Sequence, residues 1–178
     1  QSNQNLYRVR NHKTAEHGKW KKSPGKKFFE SIKKEMGELP IIAEDLGFMT
    51  DGVIKLRDGN HFPGMKIASM GFSLNDKGEL NTFDDFLPMN YTRAFVAYTG
   101  THDNETMMGW FDSILPIEKK ALKEYLKIES DSHEEWLDAC LALVFSSVSR
   151  ICIIPLQDYL MKDNSARMNT PNTLGGNW

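Results

Sequence analysis

Four short and nearly continuous apolar segments recur along the chain, and a stretch with helical character follows each of them. They are, in order, LPIIAEDLG, GMKIASMGF, AFVAYTG and ICIIP. Strands that are apolar at almost every position and alternate with helices are typical of a parallel sheet covered on both faces. The sequence therefore predicts an α/β fold with about four strand–helix units. That count fits either a small doubly wound domain or half of an eight-stranded barrel.

Helices are predicted between these strands from apolar spacing and from capping residues. Ser23 is a candidate N-cap with Pro24 at the first helical position, and Thr50 is a candidate cap for a short second helix. Further helices are predicted from Asn104 onward, near 117–128, near 132–149 and over LQDYLMK.

Length and composition indicate one globular domain of 178 residues, with no linker or repeat inside it. The opening QSN, residues 1–3, resembles a tag remnant. A net charge of −2 without an obvious basic face argues against a nucleic-acid partner. The apolar stretches are too short to span a membrane and no signal-peptide pattern opens the chain, which predicts a cytoplasmic protein. Cys140 and Cys152 are predicted to be free thiols, and no Cys/His spacing indicates zinc.

Polar side chains stand at the predicted carboxyl ends of two different strands. Glu44 and Asp45 end the first strand, and His102 and Asp103 follow the third, within AYTGTHDNETMMGW. Ligands of α/β folds bind at this end of the sheet. Two carboxyl groups that converge there could divide the work of donating and accepting a proton.

Spacing alone leaves other roles open for the same residues. Asp103 could be the N-cap of the following helix, and Glu44 with Asp45 could be a solvated strand end. His102 could be a hydrogen-bonded structural histidine. A metal site built from His102, Asp103 and Glu44 is a further alternative, although no other residue has the spacing of an additional ligand.

Tryptophans offer a second set of candidate binding residues, because their rings can stack on sugar rings. Trp20, Trp110 and Trp178 are the candidates. Trp110 lies in a predicted helix and is expected to pack in the core. Trp178 ends a polar loop, where exposure and contact with a ligand are expected.

A series of short motifs runs through the chain: LPIIAEDLG, PGMKI, NY, YTGTHDNET with GW, PLQDYL, and ARMNTP with GNW. In order and spacing this series resembles the 4-alpha-glucanotransferases, which are the amylomaltases or disproportionating enzymes of the α-amylase superfamily. The resemblance extends from Thr14 to Trp178. Each motif is moderately specific, and the ordered series is strongly so.

The resemblance implies the C-terminal part, about strands five to eight, of a (β/α)8 barrel of the TIM type. It also implies transfer of part of an α-1,4-glucan or maltooligosaccharide to a new 4-hydroxyl acceptor by a retaining double displacement. By motif, Glu44 matches the acid/base, Asp103 matches the transition-state stabiliser, and His102 matches a residue that contacts the sugar. No metal and no organic cofactor is expected. The remaining predicted substrate-binding residues are Asp45, Asn104 and Trp178.

The chain departs from the family pattern in several places. The nucleophilic aspartate of the family lies upstream in an Arg-Ile-Asp-His-Phe-Arg-Gly motif, and no aspartate precedes Asp45 here. The chain stops before the closing segment of the family, and Asn172 replaces the glycine that usually follows Thr-Pro. These departures predict a partial catalytic domain that is inactive alone and that self-associates through open strand edges. The alternatives are a non-catalytic carbohydrate-binding fragment and a metal-dependent hydrolase.

Overall fold

The computed structural model describes residues 6–9 and 19–178, with side chains from residue 22 onward. Two compact units make up the chain, Gln1–Gly64 and Met65–Trp178. The single catalytic domain expected for residues 1–178 stays a prediction, because a compact unit is a cluster of contacts and is not by itself a domain.

The first unit contains an antiparallel pair of strands, β1 (Leu6–Val9) and β2 (Lys19–Lys22). Leu6 pairs with Lys22, and the pairing ends with Val9 opposite Lys19. The sequence pattern does not predict this pair. Each strand has only four residues, too few to show the alternation by which a strand is normally recognised.

Helix α1 (Gly25–Met36) follows β2. Its N-cap is Pro24 instead of the predicted Ser23, so the helix begins one residue later than the sequence indicates. Phe29 packs against Phe62 of the same unit in an edge-on arrangement, with 5.0 Å between the ring centroids. This contact anchors the middle of α1.

The segment 37–50 contains neither a helix nor a strand, so the predicted strand over LPIIAEDLG is wrong. The Ala43 amide donates to the Pro63 carbonyl oxygen at 2.9 Å. A strand requires a ladder of such hydrogen bonds along a neighbouring strand, and this single bond does not form one. Glu44 and Asp45 therefore lie in an irregular segment.

Helix α2 (Asp51–Gly59) begins at the predicted cap. The hydroxyl oxygen of Thr50 accepts the Val53 N–H at 3.4 Å. Asp51 in the first turn and Arg57 in the last turn also complement the helix dipole.

The central sheet has three strands in the order β3 (Gly64–Ile67), β4 (Phe95–Tyr98) and β5 (Ile151–Ile153). β4 and β5 are parallel, with Val96 opposite Ile151. The three strands correspond to three of the four apolar segments of the sequence. The parallel pairing of β4 with β5, with helices between these two strands, confirms the α/β class.

Three helices connect β4 to β5: α3 (Met107–Ser113), α4 (Pro116–Leu126) and α5 (His133–Phe145). α5 packs against both α3 and α4. Phe111 and Trp136 are fully buried at the junction of α3 and α5, where their rings meet edge-on at 5.5 Å between centroids. This aromatic pair forms the centre of the core that supports α3 and the loop before it.

Both cysteines of the second unit are free thiols, as the sequence predicts. Cys140 is buried in α5 and Cys152 is half-buried in β5. Burial raises the pKa of the Cys140 thiol to about 12 and also raises the pKa of Cys152.

Candidate active site

Two segments of the second unit meet at the carboxyl end of the sheet. The first is the site loop, residues 99–106, which joins β4 to α3. The second is the C-terminal segment, residues 155–178, which begins with the short helix α6 (Leu156–Tyr159) directly after β5. Because β4 and β5 are neighbouring parallel strands, both segments emerge at the same end of the sheet.

Asp103 lies at the exposed tip of the site loop and is not the N-cap of α3. That position belongs to Thr106, whose hydroxyl oxygen accepts the Gly109 N–H at 3.1 Å. The capping alternative for Asp103 is therefore wrong, and its carboxylate is available for other contacts.

The Asp103 carboxylate is held by the C-terminal segment. Its Oδ1 accepts a hydrogen bond from Asn169 Nδ2 at 2.5 Å, and its Oδ2 lies 3.4 Å from His102 Nε2. Arg167 donates to the Asp103 carbonyl oxygen at 3.0 Å and to the Asn169 carbonyl oxygen at 3.2 Å. Arg167 thus connects the two segments that orient this carboxylate. About half of the Asp103 side chain remains open to solvent.

The His102 ring contacts Trp178, which the sequence places among the candidate binding residues. The two ring centroids are 4.9 Å apart at an interplanar angle of 47°. Trp178 is 76% exposed, and its backbone N–H donates to the Met168 carbonyl oxygen at 2.6 Å. An exposed aromatic face beside a histidine is a surface on which a sugar ring can stack.

Trp110 packs against the core, as the sequence predicts. It is half-buried, and its ring lies 5.5 Å from that of Phe72 and 5.4 Å from that of Phe111. The side chain of Trp20 lies outside the described residues.

Asn104 supports the site loop from within. Its Oδ1 accepts both the Thr101 N–H at 2.9 Å and the Thr101 hydroxyl at 2.7 Å. The same residue is predicted to bind substrate, and that role stays a prediction. In the structure, the hydrogen bonds from Thr101 to Asn104 close the turn of the site loop.

Asn164 connects the C-terminal segment to the far end of the site loop. Its Nδ2 donates to Glu105 Oε1 at 2.7 Å, and its Oδ1 accepts the Thr106 N–H at 3.2 Å. Gly109 makes room for this amide, because a Cβ atom at Gly109 would overlap the Asn164 side chain.

A cavity of about 170 Å³ opens between the site loop and the C-terminal segment. Most of its lining residues are of polar type, and they include Thr101, His102, Gln157, Asp158 and Arg167. A larger groove of about 680 Å³ runs along α4 and its following loop, but it shares no residue with the first cavity. We place the candidate site at the smaller cavity, because His102, which is paired with Asp103, lines it and the α4 groove contains no such pair.

In the first unit, Glu44 is exposed and Asp45 is held by an arginine. Asp45 accepts a close hydrogen bond from Arg57 Nη1, and its side chain is only 6% exposed. Arg57 also bonds to Asp58 at 2.8 Å. Burial lowers the pKa of Arg57, but the hydrogen bonds that it donates to Asp58 and Asp45, with the charges of these carboxylates, outweigh this effect and raise its pKa overall. The charge pair holds the Asp45 side chain next to Glu44. The predicted role of Asp45 in binding substrate stays a prediction.

Several residues of this arrangement escape sequence reasoning. Arg167 and Asn169 stand in the ARMNTP motif, and Asp158 stands in PLQDYL, so the motifs contained them without indicating their partners. Arg57 and Asn164 carry no sequence signal beyond being polar. Among the described residues, no group of three or more His, Cys, Asp or Glu side chains is placed to hold a metal ion.

Comparison with known proteins defines the class. The chain matches the family model described as 4-alpha-glucanotransferase, glycosyl hydrolase family 77, over residues 4–178. This chain therefore belongs to the 4-alpha-glucanotransferase family, as its motifs predict.

Three individual proteins show how similar this chain is to known members of the family. The chain is 47% identical over 167 residues to the 4-alpha-glucanotransferase of Streptococcus pneumoniae, a match covering 93% of this chain and 31% of that protein. It is 42% identical over 166 residues to the chloroplastic/amyloplastic 4-alpha-glucanotransferase of Arabidopsis thaliana, covering 93% and 27%. The amylomaltase from Streptococcus agalactiae, solved in complex with acarbose, superposes with a TM-score of 0.81 at 38% identity, covering 94% and 32%.

The chain thus spans about a third of the length of the relatives that it matches. The structural likeness supports an α/β fold of the kind found in amylomaltase, a TIM-barrel enzyme. None of the helices in the described part of the chain combines the length and apolar character needed to cross a bilayer.

Proposed function

We propose that this chain contributes the acid/base and the transition-state stabiliser of a 4-alpha-glucanotransferase. The reaction moves a segment of an α-1,4-glucan to the 4-hydroxyl of another sugar. The observation that carries the proposal is the Asp103 carboxylate, which Asn169 holds beside His102, a residue that lines the smaller cavity. The 47% identity to a 4-alpha-glucanotransferase adds the class of reaction.

In the proposed mechanism, Glu44 protonates the departing glycosidic oxygen while an aspartate attacks the anomeric carbon. That nucleophile comes from a part of the protein outside this sequence, because no aspartate precedes Asp45. Glu44 then removes the proton from the 4-hydroxyl of the acceptor, and the new glycosidic bond forms with retained configuration. The chain alone is expected to be inactive.

Asp103 stabilises the positive charge that develops on the sugar in the transition state. Its carboxylate is preorganised, because Asn169 fixes one oxygen and His102 flanks the other. A charge that is already oriented needs no rearrangement at the moment of reaction. His102 and Trp178 present the adjoining sugar-binding surface, and Asn104 and Asp45 support the two segments that carry the acids.

Two finer assignments belong to the same proposal. We infer that the chain forms the C-terminal part of a (β/α)8 barrel, about strands five to eight, and that the protein works in the cytoplasm. The parallel β4–β5 pair with three intervening helices supports the barrel assignment. The location rests on the sequence alone, since the relatives include a chloroplastic/amyloplastic protein.

The experiment replaces Glu44 with Gln in the full-length protein. Glu44→Gln keeps the size of the side chain but removes its transferable proton, so glucan transfer from maltotriose is expected to fall about 10²–10⁴-fold. Thermal unfolding should change little, because Glu44 is exposed.

Glu38→Gln is the matched control, since Glu38 is an exposed acid of the same unit that pairs only with the exposed Lys33 in the described structure. Its transfer rate should equal that of the unsubstituted protein. Unchanged transfer by Glu44→Gln would remove Glu44 from the acid/base role.

A further inference from the structure

A buried carboxylate in the wall of the candidate cavity takes no part in the proposed chemistry. Asp158 lies in the short helix α6 and is only 1% exposed. Burial of an acidic side chain is unfavourable unless hydrogen bonds compensate it. Burial raises the pKa of Asp158, and its hydrogen bonds oppose that rise. Such a group requires an explanation in terms of its partners.

The two oxygens of Asp158 bind opposite ends of the site loop. Oδ2 accepts the hydroxyl proton of Thr99 at 2.5 Å, and Oδ1 accepts the Met107 N–H at 2.8 Å. Thr99 is the first residue after β4, and Met107 is the first residue of α3. A single carboxylate therefore closes the loop that carries His102 and Asp103.

Neither end has an obvious substitute for this partner. Thr99 and Met107 are both buried, so water does not readily replace the lost acceptor. The N-cap Thr106 serves Gly109 and leaves the Met107 amide to Asp158. One carboxylate group thus bridges Thr99 and Met107 and sets the distance between the two ends of the site loop.

We propose that Asp158 is a positioning residue. By clamping Thr99 to Met107, it sets the position of Asp103 at the candidate site. It contacts no reacting atom and acts through the backbone of the site loop. Without the clamp, β4 and α3 are free to separate at this end. Asp103 then loses the orientation that Asn169 and Arg167 complete from the other side.

The inference rests on the proposed function for its kinetic consequence only. A displacement of about 1 Å in a catalytic group can lower the rate about 100-fold. Because Asp103 acts mainly in the transition state, the loss should appear in kcat and leave KM for maltotriose within about threefold.

The test compares three variants of the full-length protein. Asp158→Ala removes both hydrogen bonds and should lower kcat about 100-fold. Thr99→Val keeps the shape of the side chain but releases the β4 end, and a smaller loss of about tenfold is expected. Asp158→Asn should recover most of the activity, because its amide oxygen can still accept the Met107 N–H and the Thr99 hydroxyl can reverse to accept from the amide.

Hydrogen exchange supplies a readout that does not depend on catalysis. Amides of residues 101–107 should exchange at least about tenfold faster in Asp158→Ala and in Thr99→Val, with little change in α5. Val144→Ala is the control, since it destabilises the same unit by opening a buried space in α5 but leaves the clamp intact. It should keep the kcat of the unsubstituted protein at temperatures where it is folded.

The outcomes separate the two proposals. If the unsubstituted full-length protein transfers no glucan, the proposed function fails, while exchange of residues 101–107 still decides the clamp. If Asp158→Ala does not fold, Thr99→Val decides. Unchanged exchange of the site loop in the folded variants, or a loss confined to KM, would overturn the positioning role of Asp158.

Discussion

Gly71 illustrates how closely backbone segments approach one another in the second unit. A Cβ atom at this position would overlap the backbone of Phe86 and Leu87, which cannot rotate away as a side chain can. We expect Gly71→Ala to lower the free energy of unfolding by about 1–3 kcal/mol, as overpacking of a filled core does.

Thermal and denaturant unfolding measure this effect. The control is Gly59→Ala, because no atom beyond its chain neighbours and its own helix backbone lies within 4 Å of the corresponding Cβ position. An equal effect of the two substitutions would show that the loss comes from glycine itself and not from the contact with Phe86.

The two thiols should differ in reactivity, because they differ in burial. Thiolate is the reactive form, and burial raises the pKa of Cys140 to about 12. At about pH 8 a thiol reagent should modify the half-buried Cys152 first and Cys140 only after unfolding. Cys152→Ala assigns the fast phase.

The same shift has a consequence for stability. The pKa of Cys140 is higher in the folded than in the unfolded protein, so its contribution to stability is present below the ordinary value of 9.0 and is lost as the pH rises toward 12. Rapid modification of both thiols in the folded protein would contradict this burial.

Among the site residues, the sequence indicates those that stand next to a strand end and misses those that reach the site from elsewhere. His102 and Asp103 are adjacent in the chain and follow an apolar segment, so their placement after β4 can be predicted. Asn169, Arg167 and Asp158 act through partners more than fifty positions away. No local periodicity encodes such pairings, and only the fold brings them together.

At the scale of elements, α4 ends in a backbone conformation that is unfavourable for its residue. Lys127 is the C-cap, with φ of 56° and ψ of 44° in the left-handed region. Left-handed backbone costs an L-residue about 1–2 kcal/mol, and glycine avoids most of this cost. Lys127→Gly should therefore raise the free energy of unfolding by about 0.5–1 kcal/mol.

Denaturant unfolding tests this prediction, with Lys127→Ala as the matched control. Alanine also removes the lysine side chain but keeps the Cβ atom, so it should give no stabilisation. A gain that is the same for both variants would assign the effect to the lost charge.

The elements that the sequence predicts correctly are those with a strong local signal. α2 begins at its predicted cap Thr50, and β4 and β5 coincide with nearly continuous apolar segments. The segment 37–50 has the same apolar pattern, yet one hydrogen bond from Ala43 does not make a ladder. Pairing is a property of the neighbour as well as of the strand, so apolar pattern alone overestimates strands.

At the scale of the whole molecule, β5 leaves one edge of the described sheet open. β5 is at the end of the strand order, and Ile151 and Ile153 are 48% and 42% exposed. Open edges with apolar side chains recruit other strands. We therefore expect this chain, prepared alone, to self-associate at micromolar concentration.

Sedimentation of the chain is the measurement. Ile153→Lys places a charge on the open edge and should shift the population toward the 20.4 kDa monomer. Phe83→Lys is the control, because Phe83 is highly exposed but lies in a loop. A monodisperse monomer of the unsubstituted chain would show that the edge does not drive association.

The contact between Gly109 and Asn164 also limits how this sequence can change over generations. A lineage that acquires a larger residue at 109 must shorten or turn aside the side chain at 164, because the two cannot occupy the same space. A side chain that is shortened or turned aside no longer restrains Glu105 and Thr106. Positions 109 and 164 should therefore change together. Recombination that joined a larger residue at 109 to Asn164 would bring the two side chains into overlap.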